Sequence, residues 1–444
     1  MSQPPEPTPG VAADSAGLLR LCLLSLLSGA VVGLVIGLFR LALGYFESAR
    51  GSAIAWAQHW SFAGFFLVVF SVAMAAAIAA WLVRRSGQPA AGSGIPHVEL
   101  VLEGKLPAAP VLLFPVKFIG GLLAIGGGLA LGREGPSVQI GSNLASFWGR
   151  IFRLQQVDRF ALIAAGAGAG LAVAFNAPIA GAIFVLEELV RRFDTRIAIA
   201  ALGASCAAIA VASLLVGRQP DFEVMVLPDS SVWTGPAFVA LGIVAGFAGM
   251  AYNRAIIVTC AVVDGFAWVR LELRAFVIGA LVGVLAWFAP DMVGGGDTLT
   301  QLALAGGIGI TMLPVVFLVR FLLGPLSYAA GTPGGLFAPI LVLGSCLGLA
   351  FGLLGRPLLG DAGGTPIVYA VVGMAAFFTA TVRAPLTGLV LIVELTGVVN
   401  QLLPMLWACF AAMAVPTVFG SKPIYDTLKE RTLQVANDEE RRGR

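Results

Sequence analysis

The feature that most constrains this chain is a succession of apolar stretches along nearly its whole length. A transmembrane helix needs about 20 predominantly apolar residues. Of the 444 residues, 58% are hydrophobic and only 11% are charged, with a mean hydropathy of +0.93, whereas soluble proteins average about 25% charged. The sequence therefore predicts an integral membrane protein with several spans, at 18–46, 62–83, 109–130, 195–216, 233–262, 273–289, 308–329 and 401–419.

Other apolar segments are shorter and are interrupted by glycine and proline. Lipid cannot hydrogen-bond the open ends of a half-length helix, so protein, water or a ligand must do so. Half-length helices inside a membrane protein therefore indicate a site between them. These segments are 94–103, 134–148, 178–190, 336–350 and 386–398.

An internal repeat divides the chain near its middle. Residues 165–188 align with 372–395 at a constant offset, and 132–141 align with 335–344. Paired broken helices in two halves are typical of transporters with a central site. We therefore expect a disordered N-terminal tail, a first transmembrane repeat, a connecting loop, a second repeat, and a C-terminal helix with a short cytoplasmic tail, at 1–17, 18–216, 217–232, 233–420 and 421–444.

Charge and metal-ligating residues narrow the classes of function. A net charge of +3 does not favour a nucleic-acid partner, and basic residues cluster at a few helix ends that the positive-inside rule places in the cytoplasm. The five cysteines are scattered, and His59 and His97 have no plausible partners in the sequence. We therefore predict no disulfide framework, no metal site, no cofactor and no enzymatic activity. The basic clusters are Arg84–Arg85, Arg191–Arg192, Arg196 and the tail after Lys422.

Four short segments place glycine or proline directly before an apolar helix: GSGIP (92–96), GREGP (132–136), GGLFAP (334–339) and KPIY (422–425). Glycine allows a tight turn that exposes backbone N–H groups, and proline fits the first helical turn. Helix N-termini bind anions through free amides and the positive end of the helix dipole. If these ends converge, they form an anion site supported by Gly92, Gly94, Ile95, Pro96, Gly132, Arg133, Gly135, Pro136 and Gly335.

Glu134 lies where the second of these helices begins. An ionised carboxylate there can occupy the site of a transported anion, and its protonation would empty that site, which couples a proton to the anion. The alternative is that Glu134 pairs with Arg133 or caps its own helix. An ionisable residue at membrane depth favours a functional role. Ser93 and Tyr425 could each donate a hydroxyl hydrogen bond to the anion without adding charge.

The ordered set GSGIP, GREGP, GGLFAP and KPIY resembles the CLC family of chloride channels and chloride/proton antiporters, over about residues 18–435. The resemblance implies an all-helical membrane protein with an inverted-topology repeat, assembled as a homodimer with one pore in each subunit. It also implies that Ser93, Tyr425 and the backbone amides of Leu336 and Phe337 coordinate chloride. Leu336 stands where the family usually has Ile, which matters little for a backbone contact. Glu134 matches the gating glutamate.

The resemblance also assigns a proton relay. Glu188, in FVLEELVRRF, matches the internal glutamate that marks antiporters, although it could instead neutralise Arg191 or Arg192. We therefore expect chloride/proton exchange, with a passive, voltage- or pH-gated chloride channel as the alternative. Serine at residue 93, where nitrate-preferring members carry proline, favours chloride. The fluoride-exporting branch differs at these motifs.

Some expectations concern location and the roles of other charged residues. We expect a bacterial inner membrane with both termini cytoplasmic, and no CBS nucleotide-binding pair after Tyr425. We expect a structural role for Glu187, because the internal repeat aligns it with Glu394. Lys117 could raise the positive potential of the anion path or pair with a carboxylate, and Arg320 and Arg383 suggest structural pairing.

Overall fold

The computed structural model describes residues 9–86, 88–359 and 365–443, and helices make up nearly all of them. Two segments of π-helix, Leu122–Gly126 and Val185–Leu189, directly follow the α-helices that end at Gly121 and Phe184. Within the described ranges there are no strands, only two isolated β-bridges. The α-helices are α1 Pro9–Gln58, α2 Ser61–Ser86, α3 Ile95–Leu102, α4 Leu113–Gly121, α5 Glu134–Ile151, α6 Gln156–Phe175, α7 Pro178–Phe184, α8 Thr195–Val216, α9 Gly235–Gly265, α10 Leu271–Phe288, α11 Asp297–Leu304, α12 Leu313–Tyr328, α13 Phe337–Leu359, α14 Pro366–Val382, α15 Pro385–Thr396, α16 Leu402–Val418 and α17 Ile424–Gly443.

Seven of the described helices are long and apolar enough to cross a membrane. Five of them confirm predicted spans, but α6 was missed and α13 was wrongly taken as half-length. The predicted spans 109–130, 308–329 and 401–419 contain only shorter apolar helices, Leu113–Gly126, Leu313–Tyr328 and Leu402–Val418. The Gly/Ala-rich sequence of α6 lowers its hydropathy, and α13 continues well beyond residue 350. The spans are Gly17–Gln58, Ser61–Ser86, Gln156–Phe175, Thr195–Val216, Gly235–Gly265, Leu271–Phe288 and Phe337–Pro357.

The aligned repeats occupy equivalent positions in the two halves. A Cβ on Gly141 of α5 would lie 2.2 Å from the Gly166 carbonyl oxygen of α6. In the second half, a Cβ on Gly344 of α13 would lie 2.6 Å from the Gly373 carbonyl oxygen of α14. The alignment pairs Gly141 with Gly344 and Gly166 with Gly373, so the same glycine-lined crossing occurs twice.

The two halves run in opposite directions through the membrane. From the middle of the molecule, α5 runs to the face where Arg20, at the start of α1, donates to the Phe152 carbonyl. We call this face the tail face, because it also carries α17. By contrast, α14 ends at this face, where Arg383 bonds Ser421 just before α17. α6 ends at the opposite face, where Asn176 donates to Gln219 of the connecting loop. We call that face the loop face. The inverted-topology, all-helical fold is thus confirmed.

The N-terminal segment expected to be a disordered tail overlaps α1 from Pro9 onward. Residues 1–8 of that segment lie outside the described ranges. At the other end of the chain, α17 occupies most of the segment 421–444, where a C-terminal helix was expected.

We expect Gly166→Ala to destabilise the protein, because a Cβ there would lie 2.4 Å from the Ala145 Cβ and 2.5 Å from the Gly141 carbonyl oxygen. Overpacking of this kind costs about 1–3 kcal/mol. The apparent melting temperature in detergent should fall. The control is Gly203→Ala, whose Cβ would meet only Leu26, at 3.9 Å. Equal melting temperatures for the two variants would contradict the tight crossing of α5 and α6.

Candidate anion and proton site

Backbone hydrogen bonds hold three of the four predicted motifs together at the centre of the molecule. Gly92 forms a parallel bridge with Pro333, and Gly132 forms an antiparallel bridge with Gly335. The Gly132 amide donates to the Gly335 carbonyl at 2.9 Å, and the Gly335 amide donates back at 2.7 Å. The N-termini of α3, α5 and α13, which follow these motifs, therefore converge as the sequence predicted.

Two glycines leave the space that the Glu134 side chain fills. A Cβ on Gly132 would lie 2.0 Å from Glu134 Oε2, and a Cβ on Gly335 would lie 1.9 Å from Glu134 Oε1. Any larger residue at either position would displace the carboxylate. The motif glycines thus leave room for the Glu134 side chain, in addition to allowing the backbone turns that the sequence predicted.

Glu134 is fully buried, and its carboxylate lies at the N-terminus of α13 rather than beside Arg133. Its Oε1 accepts a 2.7 Å hydrogen bond from the Phe337 amide, and its Oε2 has no hydrogen-bond partner among the described residues. The Arg133 guanidinium instead contacts Asp221, Asp297 and the Ala174 carbonyl. The alternative in which Glu134 pairs with Arg133 therefore does not describe this structure.

Ser93 and Tyr425 are both fully buried near this carboxylate. Among the described residues the Tyr425 hydroxyl makes no hydrogen bond of normal geometry, although it lies within interaction range of the Ser93 hydroxyl, and its ring lies 6.0 Å from that of Phe337. The Ser93 hydroxyl accepts a long 3.5 Å bond from the Ile95 amide. These two hydroxyls have unused hydrogen-bonding capacity, and together with the buried backbone amides of Leu336 and Phe337 they can bind one anion. The structure brings these predicted residues together, and their roles remain a proposal.

Lys117 supports the first loop rather than pairing with a carboxylate. Its side chain is fully buried, and Nζ donates to the Gly92 carbonyl at 2.7 Å. A 3.5 Å bond reaches the Ala91 carbonyl as well. Lys117 therefore holds the backbone directly before Ser93.

Glu188 lies on the tail face, away from the convergence of helix N-termini. Its side chain is buried, and its only ion pair among the described residues is with Arg191, at 3.4 Å. Arg191 makes a shorter 2.7 Å pair with Asp426, the residue after Tyr425. A cavity of about 310 Å³, lined in part by Glu187, Glu188 and Arg191, lies beside this group. Both interpretations of Glu188 are compatible with this geometry, because the Arg191 contact is long and the cavity adjoins the carboxyl.

Lys429 of α17 links Asp426 to Glu99 and Glu103, two carboxylates that the sequence analysis did not identify. We call these four residues, together with Glu188 and Arg191, the Lys429 cluster. Lys429 pairs with Glu99 at 3.1 Å, Glu103 at 2.8 Å and Asp426 at 3.4 Å. Burial alone would raise the pKa of Asp426, but hydrogen bonds and charge from Arg191 and Lys429 bring it below its ordinary value. Glu99 and Glu103 lie more than 300 residues before Lys429 in the sequence, so no local pattern could have indicated these pairs. The four-residue spacing of Glu99, in α3, and Glu103, the residue that follows α3, was the one available signal.

Glu187 and Glu394 have equivalent structural roles in the two halves. Glu187 accepts from the Leu386 and Thr387 amides at the start of α15, at 3.0 and 2.7 Å. Glu394 accepts from the Ile179 and Ala180 amides at the start of α7, at the same two distances. Each carboxylate therefore caps a helix of the opposite half.

The two remaining arginines bind mainly backbone carbonyls. Arg320 is buried and donates to the carbonyls of Met292, Gly294 and Gly295. Arg383 donates to the Ser421 carbonyl and the Thr417 hydroxyl. Both arginines fix connecting segments, as structural pairing would predict.

A buried site made of helix N-termini within an inverted repeat defines a membrane transport protein of the broken-helix type. The family model described as "Voltage gated chloride channel" matches residues 75–417. The chain therefore belongs to the voltage-gated chloride channel (CLC) family.

Named relatives and solved structures agree with this assignment. The protein named H(+)/Cl(-) exchange transporter ClcA from Salmonella paratyphi B is 36% identical over 92% of this chain and 88% of its own. A crystal structure described as a slow cyanobacterial Cl⁻/H⁺ antiporter superposes with a TM-score of 0.91 at 31% identity, over 94% of this chain and 99% of that one. A CLC-type fluoride/proton antiporter, at 23% identity and a TM-score of 0.76 over 92% of this chain and 97% of that one, shares the fold.

Lys429→Met should destabilise the protein strongly, because it would leave the buried Glu99 carboxylate without its cation. Breaking a buried ion pair in this way costs about 3–5 kcal/mol. Thermal unfolding in detergent measures the effect. Lys422→Met is the matched control: Lys422 pairs only with exposed Glu430, a contact worth about 0–1 kcal/mol. The double variant Lys429→Met/Glu99→Gln should recover part of the loss. A Lys429→Met variant as stable as Lys422→Met would contradict this account.

Proposed function

We propose that this protein is a secondary active transporter that exchanges chloride for protons across a membrane. The observation that carries the proposal is the hydrogen bond from the Phe337 amide to Glu134 Oε1, at a helix N-terminus suited to an anion. A carboxylate in that position is a tethered substitute for chloride. Its own protonation state then decides whether the position is available.

The proposed cycle follows from competition at that position. Ionised Glu134 holds the Phe337 amide and excludes chloride. When Glu134 binds a proton, it loses its charge and its advantage over chloride, which then enters between the Ser93 and Tyr425 hydroxyls and the amides of Leu336 and Phe337. Release of the proton returns the carboxylate to the helix end and displaces the anion. Proton and chloride thus exclude one another at one place, which is the physical requirement for exchange.

We assign the internal proton relay to Glu188. Glu188 adjoins the cavity on the tail face, whereas Glu134 lies among the bridged motif segments at the centre of the molecule. Protons and chloride can therefore share the pathway near Glu134 and separate toward the tail face. The long 3.4 Å contact with Arg191 leaves the Glu188 carboxyl free to change partners.

A passive chloride channel of the same fold is the alternative. Two observations favour exchange: the chain carries both Glu134 and Glu188, and the relatives at 36% and 31% identity are described as exchangers or antiporters. Those descriptions name transporters, which also supports a function without covalent catalysis.

We further propose that the tail face is cytoplasmic. Connections on that face are rich in arginine and lysine, whereas those on the loop face, such as 217–231 and 397–401, carry only Arg218. Both termini would then be cytoplasmic, in a bacterial inner membrane, and the family resemblance supports a homodimer. The basic residues of the tail-face connections are Lys105, Arg153, Arg191, Arg192, Arg270, Arg383 and Lys422.

The direct test is flux through the purified protein in liposomes. An imposed chloride gradient should drive protons against their own gradient, recorded with a chloride electrode and a pH electrode together. Chloride movement without proton movement would support the channel and overturn exchange.

Glu134→Gln should abolish proton transport while chloride transport continues, because a neutral amide can neither carry the proton nor compete as an anion. The chloride flux should also lose its dependence on pH. Glu223→Gln, which changes an exposed carboxylate of the connecting loop, is the control and should keep coupled transport. Proton-coupled flux in Glu134→Gln would remove this residue from the mechanism.

Glu188→Gln should stop proton transport but leave chloride flux and its pH dependence, since Glu134 is intact. The combined electrode measurement separates the two fluxes. Glu103→Gln, which also alters the carboxylates of the Lys429 cluster, should retain proton transport. Unchanged coupling in Glu188→Gln would refute the relay assignment and support a purely neutralising role toward Arg191.

A further inference from the structure

Asp221 lies in the connecting loop between the repeats, in a segment without any of the four motifs. Its side chain is nevertheless only 9% exposed, and both carboxylate oxygens are used. Oδ1 pairs with Arg40 of α1 at 2.7 Å, and Oδ2 pairs with Arg133 at 2.5 Å. A loop residue thus joins two arginines that come from different parts of the first repeat.

Both arginines also hold the end of α6. Arg40 donates to the Val173 carbonyl at 2.8 Å, and Arg133 donates through Nε to the Ala174 carbonyl at 2.7 Å. The remaining bond of Arg133 reaches Asp297, at the start of α11. Arg133 directly precedes Glu134, so Asp221 fixes the cation that is closest in sequence to the proposed gate.

The charge balance around Glu134 depends on this arrangement. Arg133 and Asp297 act on Glu134 from the loop face, and Tyr425 faces it from α17. Arg40, Asp221 and Glu47 act on Arg133 in turn. Asp297 is 45% exposed and is therefore screened by water, whereas Asp221 is not. Asp221 is thus the carboxylate that most directly offsets the two arginines.

We propose that Asp221 is a positioning residue that sets the positive potential around Arg40 and Arg133, on the loop-face side of Glu134, and through it both chloride capture and the protonation of Glu134. This inference rests on the proposed function for the pH response, whereas chloride capture applies equally to a channel. A charged entrance raises the local concentration of an oppositely charged ion. By partly neutralising Arg40 and Arg133, Asp221 limits that concentration and keeps Glu134 able to accept a proton.

The test is Asp221→Asn, measured in right-side-out and inverted bacterial membrane vesicles whose orientation is checked by protease cleavage of the C-terminal tail. With the arginines less neutralised, the chloride concentration for half-maximal flux from the loop face should fall by roughly threefold to tenfold. The pH for half-maximal flux should move to lower values, because positive potential favours ionised Glu134. The half-maximal chloride concentration should not change for chloride supplied from the tail face.

Two matched variants accompany it. Glu223→Gln removes the same charge from the same loop, where the Glu223 backbone alone bonds Gln301, and should behave as wild type. Asp221→Glu keeps the charge and should restore wild-type values. Should Asp221→Asn fail to fold, Arg40→Gln gives the opposite prediction: a higher half-maximal chloride concentration on the loop face and a shift to higher pH.

The outcomes separate this inference from the proposed function. If wild-type protein couples protons to chloride but Asp221→Asn matches Glu223→Gln, the role of Asp221 is wrong and the exchange function stands. An equal change in the half-maximal chloride concentration on both faces would also overturn it, because a general structural defect has no sidedness. If wild-type protein carries chloride without protons, exchange fails, and the chloride concentration dependence alone decides the role of Asp221.

Discussion

Backbone amides at the start of a helix are the constraint on which this structure depends. In lipid they have no water to bond, so a helix that begins inside a membrane needs an acceptor. At the start of α13 the acceptor is a side chain, Glu134, attached to the start of another broken helix. The same unmet need makes the position attractive to a free anion. In the proposed mechanism, the fold and the transported anion therefore compete for one amide, and protonation of Glu134 decides which of them binds it.

The sequence predicted the convergence of motifs well, because glycine and proline before apolar helices have a direct backbone meaning. Gly132, Glu134 and Gly335 could be placed together from local chemistry and the repeat. The sequence did not predict the span α6, whose small residues serve close packing at Gly166 rather than contact with lipid. Nor did it predict Lys429 beside Glu99, because that pair depends on where α17 docks after the whole membrane domain has formed.

The charged residues inside this apolar chain bind two kinds of partner. Lys117 and Arg320 bond backbone carbonyls and hold loops in place, so their charges are offset by dipoles rather than by counter-ions. Asp221 and Lys429 instead join side chains of opposite charge at the two faces. Glu134 differs from both groups, since its carboxylate accepts from the amide at the start of a helix of the other half, a position that also suits a free anion.

The reciprocal caps of Glu187 and Glu394 bear on how such a protein can move. Each carboxylate accepts hydrogen bonds from two amides of the other half, so the two halves are hydrogen-bonded to each other at two symmetry-related points. A rocking motion of one half against the other would break both caps at once and leave four amides at helix starts without their acceptors. We therefore expect alternating access in this molecule to involve movements of single side chains and loops rather than a rocking of the two halves.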